Sequence, residues 1–307
     1  MTDKFSHLVK RHPCYSGEAH VKYGRVHLPV SPVCNIQCKF CKRSFNKYEN
    51  RPGVSRSIIT PEEAIELVSK AMVLCPDITV AGIAGPGDPL ASDHALDTFR
   101  LINKKYPHLI KCLSTNGFRL SEKAEQIMEA GVKTITVTVN AIKPEILKNI
   151  CSCIIFKGKI IKGKEGAEVL IAHQLEGIKK ITELGAIVKI NTVLVPGIND
   201  NHIEKIAITA KELGAFIINV IPLIPQHEMI HLPSPTCDQL KLARDSAEKH
   251  LAVFRHCKQC RADACGVPGK GMDISDLLYD KQLQFESNLS FGIDNANILD
   301  HRHILYQ

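Results

Sequence analysis

The chain has 307 residues, of which 44% are hydrophobic and 23% are charged, and its net charge is +7 with histidine neutral. This length and composition are typical of a globular protein with a large core, and they leave room for a single α/β barrel. No apolar run is long enough to span a bilayer, and residues 1–10 lack the apolar region of a signal peptide. Lys and Arg are scattered, with no run of five or more. We therefore expect a cytoplasmic protein with neither a nucleic acid nor a membrane as its partner.

Predicted strands and helices alternate along the chain. Strands are predicted at residues 25–30, 78–83, 110–114, 132–139, 187–195 and 216–221, and helices at residues 93–106, 121–130, 165–184, 201–213 and 236–253. A further helix begins at Thr60, because Pro61 and Glu63 follow it at the spacing of a capping box. Repeated βα units imply a parallel sheet, so we expect an α/β fold that forms a partial or complete, TIM-like β/α barrel. Residues 1–24 are predicted to be irregular, and residues 143–164 to be a surface insertion.

Three cysteines follow the first predicted strand at a spacing that indicates a metal site. Cys34, Cys38 and Cys41 form a C-x3-C-x2-C pattern with no fourth cysteine nearby. An ordinary 4Fe–4S cluster takes four thiolates, so three would leave one iron open to a further ligand, as a catalytic metal requires. The alternatives are a zinc knuckle, which would want a fourth Cys or His close by, and unrelated buried cysteines. The loop resembles that of the radical S-adenosylmethionine (SAM) superfamily, in which the open iron binds SAM.

Loops at three other predicted strand ends resemble the SAM-binding loops of that superfamily. The residues concerned are Gly85, Pro86, Gly87, Asp88, Thr115, Asn116, Asn191 and Ile198. Glycines in the first loop let a ligand approach the backbone closely, and Asp88 stands where an acidic residue usually follows them. An ordinary tight Gly-Pro turn is the alternative for this loop. By the same resemblance, Asn191 would face the ribose of SAM and Ile198 the adenine.

Four cysteines outside the first loop are candidates for further metal sites. They are Cys14, Cys112, Cys257 and Cys260. The C-x-x-C pair at 257–260 is also typical of a redox pair or half a zinc site, and Cys14 and Cys112 could be ordinary buried thiols. Together, the four suffice to hold further iron–sulfur clusters. The remaining cysteines have no motif support and are interpreted as structural: Cys75, Cys151, Cys153, Cys237 and Cys265.

Taken together, these segments resemble the NifB family of radical SAM maturases, which build the precursor of the nitrogenase active-site cofactor. The matching segments are residues 12–16, 34–41, 49–52, 82–90, 113–117, 174–177, 196–200 and 256–266. The resemblance predicts an N-terminal segment with a cluster ligand at 1–24, a radical SAM barrel at 25–255, and a C-terminal cluster-binding segment and tail at 256–307. The chain resembles the stand-alone form, without the cofactor-carrier domain that many members carry. Residues 272–307 match no pattern.

The resemblance implies a defined reaction and a set of cofactors. Two 4Fe–4S substrate clusters would be joined, with one carbon from a SAM methyl group and one sulfur, into an 8Fe–9S–carbide core. Cys34, Cys38 and Cys41 would hold a third 4Fe–4S cluster, which cleaves SAM. Cluster donors, cofactor carriers and a low-potential electron donor would be the partners. The positive net charge would then reflect either a mildly basic surface or a basic cavity for anionic clusters and an acidic electron donor.

The resemblance also suggests ligands for the two substrate clusters. Cys257 and Cys260 would hold one, and Cys14 and Cys112 the other. A histidine would assist, because imidazole is a labile iron ligand; His27 is the first choice, with His12 and His20 as alternatives. Glu49 and Arg51 are candidates for moving protons or positioning SAM.

Two competing functions remain open at the level of sequence. One is a radical SAM enzyme of another type that uses auxiliary clusters, such as a peptide-modifying enzyme. The other is a non-enzymatic iron–sulfur carrier, which would not need SAM-binding strand ends.

Overall fold

A curled sheet of mainly parallel strands forms the centre of this computed structural model, which describes residues 5–279. The strands are β1 (Gly24–His27), β2 (Ile36–Cys38), β3 (Ser44–Phe45), β4 (Val54–Ser55), β5 (Ile78–Ile83), β6 (Ile110–Thr115), β7 (Val132–Thr138), β8 (Cys151–Phe156), β9 (Lys159–Lys162), β10 (Ile187–Leu194), β11 (Ile217–Pro222) and β12 (Cys265–Gly266). Among the described residues, seven strands form the main sheet in the order β11-β10-β7-β6-β5-β1-β12. Neighbours are parallel except β12, which runs antiparallel to β1. The edge strands β11 and β12 do not pair with each other within residues 5–279, so the β/α barrel is partial.

Helices pack against this sheet through apolar faces. They are α1 (Ser6–Val9), α2 (Gly17–Lys22), α3 (Pro61–Leu74), α4 (His94–Lys105), α5 (Leu120–Glu129), α6 (Pro144–Leu147), α7 (Gly163–Glu183), α8 (Ile203–Glu212), α9 (Cys237–Glu248) and α10 (Ser275–Leu278). The main apolar cluster joins Phe99 of α4 and Ile127 of α5 to Leu113 of β6, all fully buried. Within the described part of the chain, no helix combines the length and apolarity needed to cross a membrane.

The six predicted strands and the predicted start of α3 are confirmed. Thr60 Oγ1 accepts a hydrogen bond from the Glu63 N–H (3.2 Å), and Glu63 Oε2 accepts one from the Thr60 N–H (2.7 Å). This reciprocal pair satisfies backbone donors that the first turn of a helix leaves free.

Three predictions about local structure are wrong. The segment at 1–24 was expected to be irregular, yet it contains α1 and α2, and Ser16 Oγ caps α2 by accepting a hydrogen bond from the Ala19 N–H (3.4 Å). The last long helix, α9, ends at Glu248 and not at 253. Residues 252–254 instead follow β11, since the Ile218 N–H donates to Ala252 O and the Phe254 N–H donates to Ile218 O. As an edge strand, β11 has free backbone hydrogen-bonding groups. Residues 252–254 bind to these groups instead of continuing the helix.

The segment at 143–164 is not a simple surface insertion. It forms α6 and the hairpin β8–β9, and β8 pairs antiparallel with β2 of the cysteine loop, with Ile36 opposite Ile154 and Cys38 opposite Cys151. Ile154 is fully buried in a second apolar cluster, whereas Ile160 on β9 is 66% exposed. The hairpin therefore fixes the backbone of the cysteine loop from outside the main sheet.

We expect Ile154→Ala to lower the free energy of unfolding of the cluster-free protein by about 2–4 kcal/mol, because it leaves a cavity under the hairpin. The matched control is Ile160→Ala on the same hairpin, whose effect we expect to stay within about 0.5 kcal/mol. Denaturant titration of both variants measures the difference. Equally small effects would show that the hairpin does not pack against the cysteine loop.

Candidate functional site

One cavity of about 340 Å³ opens at the carboxyl ends of the parallel strands and extends inward between them. This is the end at which β/α barrels place their active sites. The cavity lining includes most of the residues singled out from the sequence: Cys14, His27, Cys34, Cys38, Cys41, Arg51, Pro86, Gly87, Asp88, Cys112, Thr115, Asn116, Asn191, Cys257 and Cys260. Glu49, Gly85 and Ile198 lie outside the lining, and Ile198 packs against the second apolar cluster.

The cysteine loop is held in place by its own side chains and by the neighbouring loop. Gln37 Nε2 donates hydrogen bonds to Cys38 O (2.9 Å) and Cys41 O (3.1 Å), which ties together the backbone at the second and third cysteines. Asn116 Nδ2 donates to Asn35 Oδ1 (2.7 Å) and lies 3.7 Å from Cys34 Sγ. The loop is thus preorganised before any metal binds.

The three thiols of this loop fit an iron–sulfur cluster chemically. Burial raises the pKa of Cys34 to about 12 and also raises the pKa of Cys38 and of Cys41. A buried thiol of this kind is inert by itself, but a metal deprotonates the thiol that coordinates it. All three line the same cavity, and three thiolates would leave one iron of a 4Fe–4S cluster open.

The second loop, at residues 84–88, packs tightly against the cysteine loop because Gly87 has no side chain. A Cβ atom there would lie 2.1 Å from Val33 O. The close approach allows the Gly87 N–H to donate to Ser31 O and the Asp88 N–H to donate to Val33 O, each at 2.8 Å. Glycine is therefore required at this position for contact between the two loops.

Asp88 connects this loop to the third strand end. Its carboxylate accepts hydrogen bonds from Thr115 Oγ1 (2.9 and 3.0 Å), the Asn116 N–H (2.6 Å) and the Leu90 N–H (2.9 Å). Burial nevertheless raises the pKa of Asp88. Gln174 supports the same loop from α7, since its Nε2 donates to Asn116 O (2.7 Å). The two predicted SAM loops thus form one hydrogen-bonded unit next to the cysteine loop.

The inner part of the cavity brings together the four remaining candidate cysteines and several histidines. His27 Nδ1 lies 3.0 Å from Arg261 O, and a carbonyl can only accept, so Nδ1 carries the proton and Nε2 has the free lone pair. Burial, and then the nearby Arg25 guanidinium, lower the pKa of His27 to about 4. A neutral imidazole whose Nδ1–H is held by a carbonyl is the usual arrangement of a metal-binding histidine.

The two alternative histidines, His20 and His12, differ in whether Nε2 has a free lone pair. His20 Nδ1 lies 2.8 Å from Pro13 O, so its Nε2 also has a free lone pair. His12 Nδ1 instead accepts from the Cys14 N–H (3.1 Å), which places the proton of the neutral ring on Nε2. Hydrogen bonding therefore favours His27 or His20 as an iron ligand and disfavours His12.

Arg51 is buried at the cavity, whereas Glu49 is partly exposed outside it. Arg51 is buried and donates to Lys42 O (2.6 Å), Ser44 Oγ (3.0 Å) and Glu49 Oε2 (2.7 Å), which ties the chain after the cysteine loop together. The Glu49 side chain is 41% exposed, and its hydrogen bond from Arg51 lowers its pKa. A lowered pKa makes this carboxylate a weaker base.

Among the cavity-lining residues that sequence reasoning missed, three carry chemically important groups. Arg25 lies two residues before His27 on β1, and Lys189 lies two residues before Asn191 on β10. Because side chains alternate along a strand, each pair shares a face, and this two-residue spacing could have identified both cations. The third is Cys151, which was interpreted as structural and lies opposite Cys38 in the β2–β8 pair. Only the long-range pairing reveals its position.

Comparison with known proteins defines the class first. The model of the radical SAM superfamily matches residues 28–210. The fold is similar to that of a radical SAM methyltransferase from Sphaerobacter thermophilus (TM-score 0.54, 15% identity, covering 75% of this chain and 64% of that one) and of Streptococcus suis SuiB (TM-score 0.55, 13% identity, 83% and 54%). The chain belongs to the radical SAM superfamily, which implies a 4Fe–4S cluster and SAM as cofactors.

Relatives of higher identity define the family within that class. The FeMo cofactor biosynthesis protein NifB of Methanocaldococcus infernus is 51% identical over 266 residues, covering 86% of this chain and 88% of that protein. The protein of the same name from Klebsiella pneumoniae is 42% identical over 267 residues, covering 84% of this chain and 57% of that protein. The chain is therefore a member of the NifB family.

Proposed function

We propose that this protein is a radical SAM enzyme of nitrogenase iron–molybdenum cofactor biosynthesis. It joins two 4Fe–4S substrate clusters, with a SAM-derived carbide and one extra sulfur, into the 8Fe–9S–C precursor. The observation that carries the proposal is the single cavity whose lining includes all seven candidate cysteines. The names of the relatives add support, since they are called FeMo cofactor biosynthesis proteins.

The outer end of the cavity provides the SAM site in this proposal. Cys34, Cys38 and Cys41 hold the resident cluster, and the unit of Asp88, Thr115 and Asn116 lies beside it. When bound, SAM and this cluster supply a 5′-deoxyadenosyl radical, which can take hydrogen from an unactivated carbon. The protein's contribution is to hold the loops rigid and to exclude water from the buried wall.

The inner end provides the substrate sites. Cys257 and Cys260 hold one substrate cluster, and Cys14 and Cys112 hold the other with help from His27. His27 suits this role because it is neutral and its Nδ1–H is fixed on Arg261 O, so Nε2 remains available to iron. A neutral nitrogen ligand is more easily released than a thiolate, which suits a cluster that must move during the reaction.

Proton transfer places a further constraint on the proposal. Removing every hydrogen from a methyl group is beyond side-chain bases acting near neutral pH, so the cofactor must perform the first abstraction. Glu49 lies off the cavity lining, and its pKa is lowered by Arg51. Sulfides of the substrate clusters are therefore better placed than Glu49 to accept the remaining protons, and Arg51 acts by holding the loop.

Partners follow from the same chemistry. Substrate clusters must arrive from a donor protein and the product must leave on a carrier, and SAM cleavage needs a low-potential electron donor. A reducing, anaerobic cytoplasm would keep the cysteine thiols and the clusters intact.

Iron content tests the assignment of ligands. We expect the anaerobically reconstituted protein to hold about twelve irons, as three 4Fe–4S clusters require, and Cys257→Ala with Cys260→Ala to lose roughly four. Cys75→Ala with Cys237→Ala is the matched control, because neither residue lines the cavity. If the double variant at 257 and 260 keeps its full iron content, that pair has a redox or structural role instead.

Isotope transfer tests the reaction. With SAM deuterated on the methyl group, we expect deuterium in the 5′-deoxyadenosine product and methyl-derived carbon in the extracted iron–sulfur product, both measured by mass spectrometry. The variant with Ala at 34, 38 and 41 should form no 5′-deoxyadenosine. SAM consumption by the wild type with neither transfer would favour a radical SAM enzyme of another type.

A further inference from the structure

We propose that Arg25 and Lys189 form a cationic floor that binds the two anionic substrate clusters and holds them next to each other. This inference rests on the proposed function, and it assigns a role to two residues that no motif contains. The two side chains come from β1 and β10 and line the inner end of the cavity.

Both cations are buried without a carboxylate partner. Arg25 is 4% exposed and Lys189 is 6% exposed, and neither forms an ion pair with any residue between 5 and 279. Other buried arginines of the chain do have one: Arg51 pairs with Glu49, and Arg261 with Asp263. A buried charge without a counter-charge is costly. Lys111 is also buried and donates only to Pro107 O, but it lies off the cavity, whereas Arg25 and Lys189 line the cavity and can contact an anion bound there.

Neutral contacts offset only part of this cost. Arg25 donates from Nη1 to Gly266 O (2.7 Å) and from Nη2 to Cys260 Sγ (3.1 Å), while its buried Nε has no partner. The Lys189 ammonium donates to Cys14 O (3.3 Å) and lies 5.1 Å from the centre of the Tyr15 ring. A carbonyl and a ring face stabilise a cation less than an ionised partner does.

Each cation lies beside the ligands of a different substrate cluster. Arg25 Nη2 donates to Cys260 Sγ (3.1 Å), whereas Lys189 Nζ donates to the backbone oxygen of Cys14 (3.3 Å) and lines the same cavity as Cys112. The missing anion is then the cluster itself, which carries net negative charge once thiolates coordinate it.

A cation beside each cluster would reduce the repulsion between the two clusters in the proposed reaction. Two anionic clusters repel each other in a cavity of low dielectric constant, yet they must touch in order to fuse. One fixed cation at each cluster lowers that repulsion, and hydrogen bonds to cluster sulfides raise the reduction potential of a cluster. Arg25 and Lys189 are thus positioning residues, because they act through the clusters and not on the methyl group.

The test uses Lys189→Met, which keeps the length of the side chain but removes its charge, and Lys189→Arg, which keeps the charge. Lys180→Met is the matched control, because Lys180 lies on α7 and pairs with Glu125 at the surface. We expect Lys189→Met to release iron to a chelator about tenfold faster than the wild type, as loss of a charge-assisted hydrogen bond implies, and to lower the reduction potential of one cluster. Lys189→Arg should restore both, and the control should change neither.

Thermal unfolding of the cluster-free protein separates this role from a structural one. Because an unpaired buried charge destabilises the fold, Lys189→Met should unfold at a higher temperature than the wild type when no cluster is bound. Unchanged iron release and an unchanged potential in Lys189→Met overturn the cationic floor while the proposed function stands. A wild type that holds only about four irons overturns the proposed function itself.

Discussion

The two-residue period of the parallel strands decides which groups can meet in this protein. Alternate side chains of β1, β6 and β10 face one cavity, whereas the residues between them face the helices. On β1 this places Arg25 and His27 inside and Val26 in the core, and on β10 it places Lys189 and Asn191 inside. A register slip of one residue would exchange these groups for apolar side chains. The chemistry of the site therefore depends on the parallel pairing of the sheet.

A second constraint is that most of the candidate ligands are half-buried thiols. Burial raises the pKa of Cys14, Cys34 and Cys38, so metal binding there would release their protons and would make cluster loading depend on pH and on local order. Nearby cations determine how easily these thiols lose their protons. Under the proposed function, the cavity would bind anionic clusters that bring their own iron, whereas a site for a single metal ion holds its ligands ready in advance.

Sequence alone predicted the parts that depend on local spacing. The six parallel strands follow from short apolar and alternating runs, α3 from its capping box, and the cysteine loop from the spacing of Cys34, Cys38 and Cys41. Contacts between distant segments could not be predicted this way. The pairing of β2 with β8 and the path of residues 252–254 along β11 both depend on which backbone groups another segment leaves free. The proposed roles of Arg25 and Lys189 depend on tertiary structure for the same reason, since the absence of a carboxylate partner cannot be read from the sequence. The predicted tail beyond residue 279 lies outside the described residues.

Anomalous diffraction at the iron edge, from crystals of the anaerobically reconstituted protein, tests the central claim most directly. The account predicts three separate groups of iron in one cavity. The first lies beside Cys34, Cys38 and Cys41, the second beside Cys257 and Cys260, and the third beside Cys14, Cys112 and His27. A single group of irons at the cysteine loop, with the inner thiols free, would contradict it.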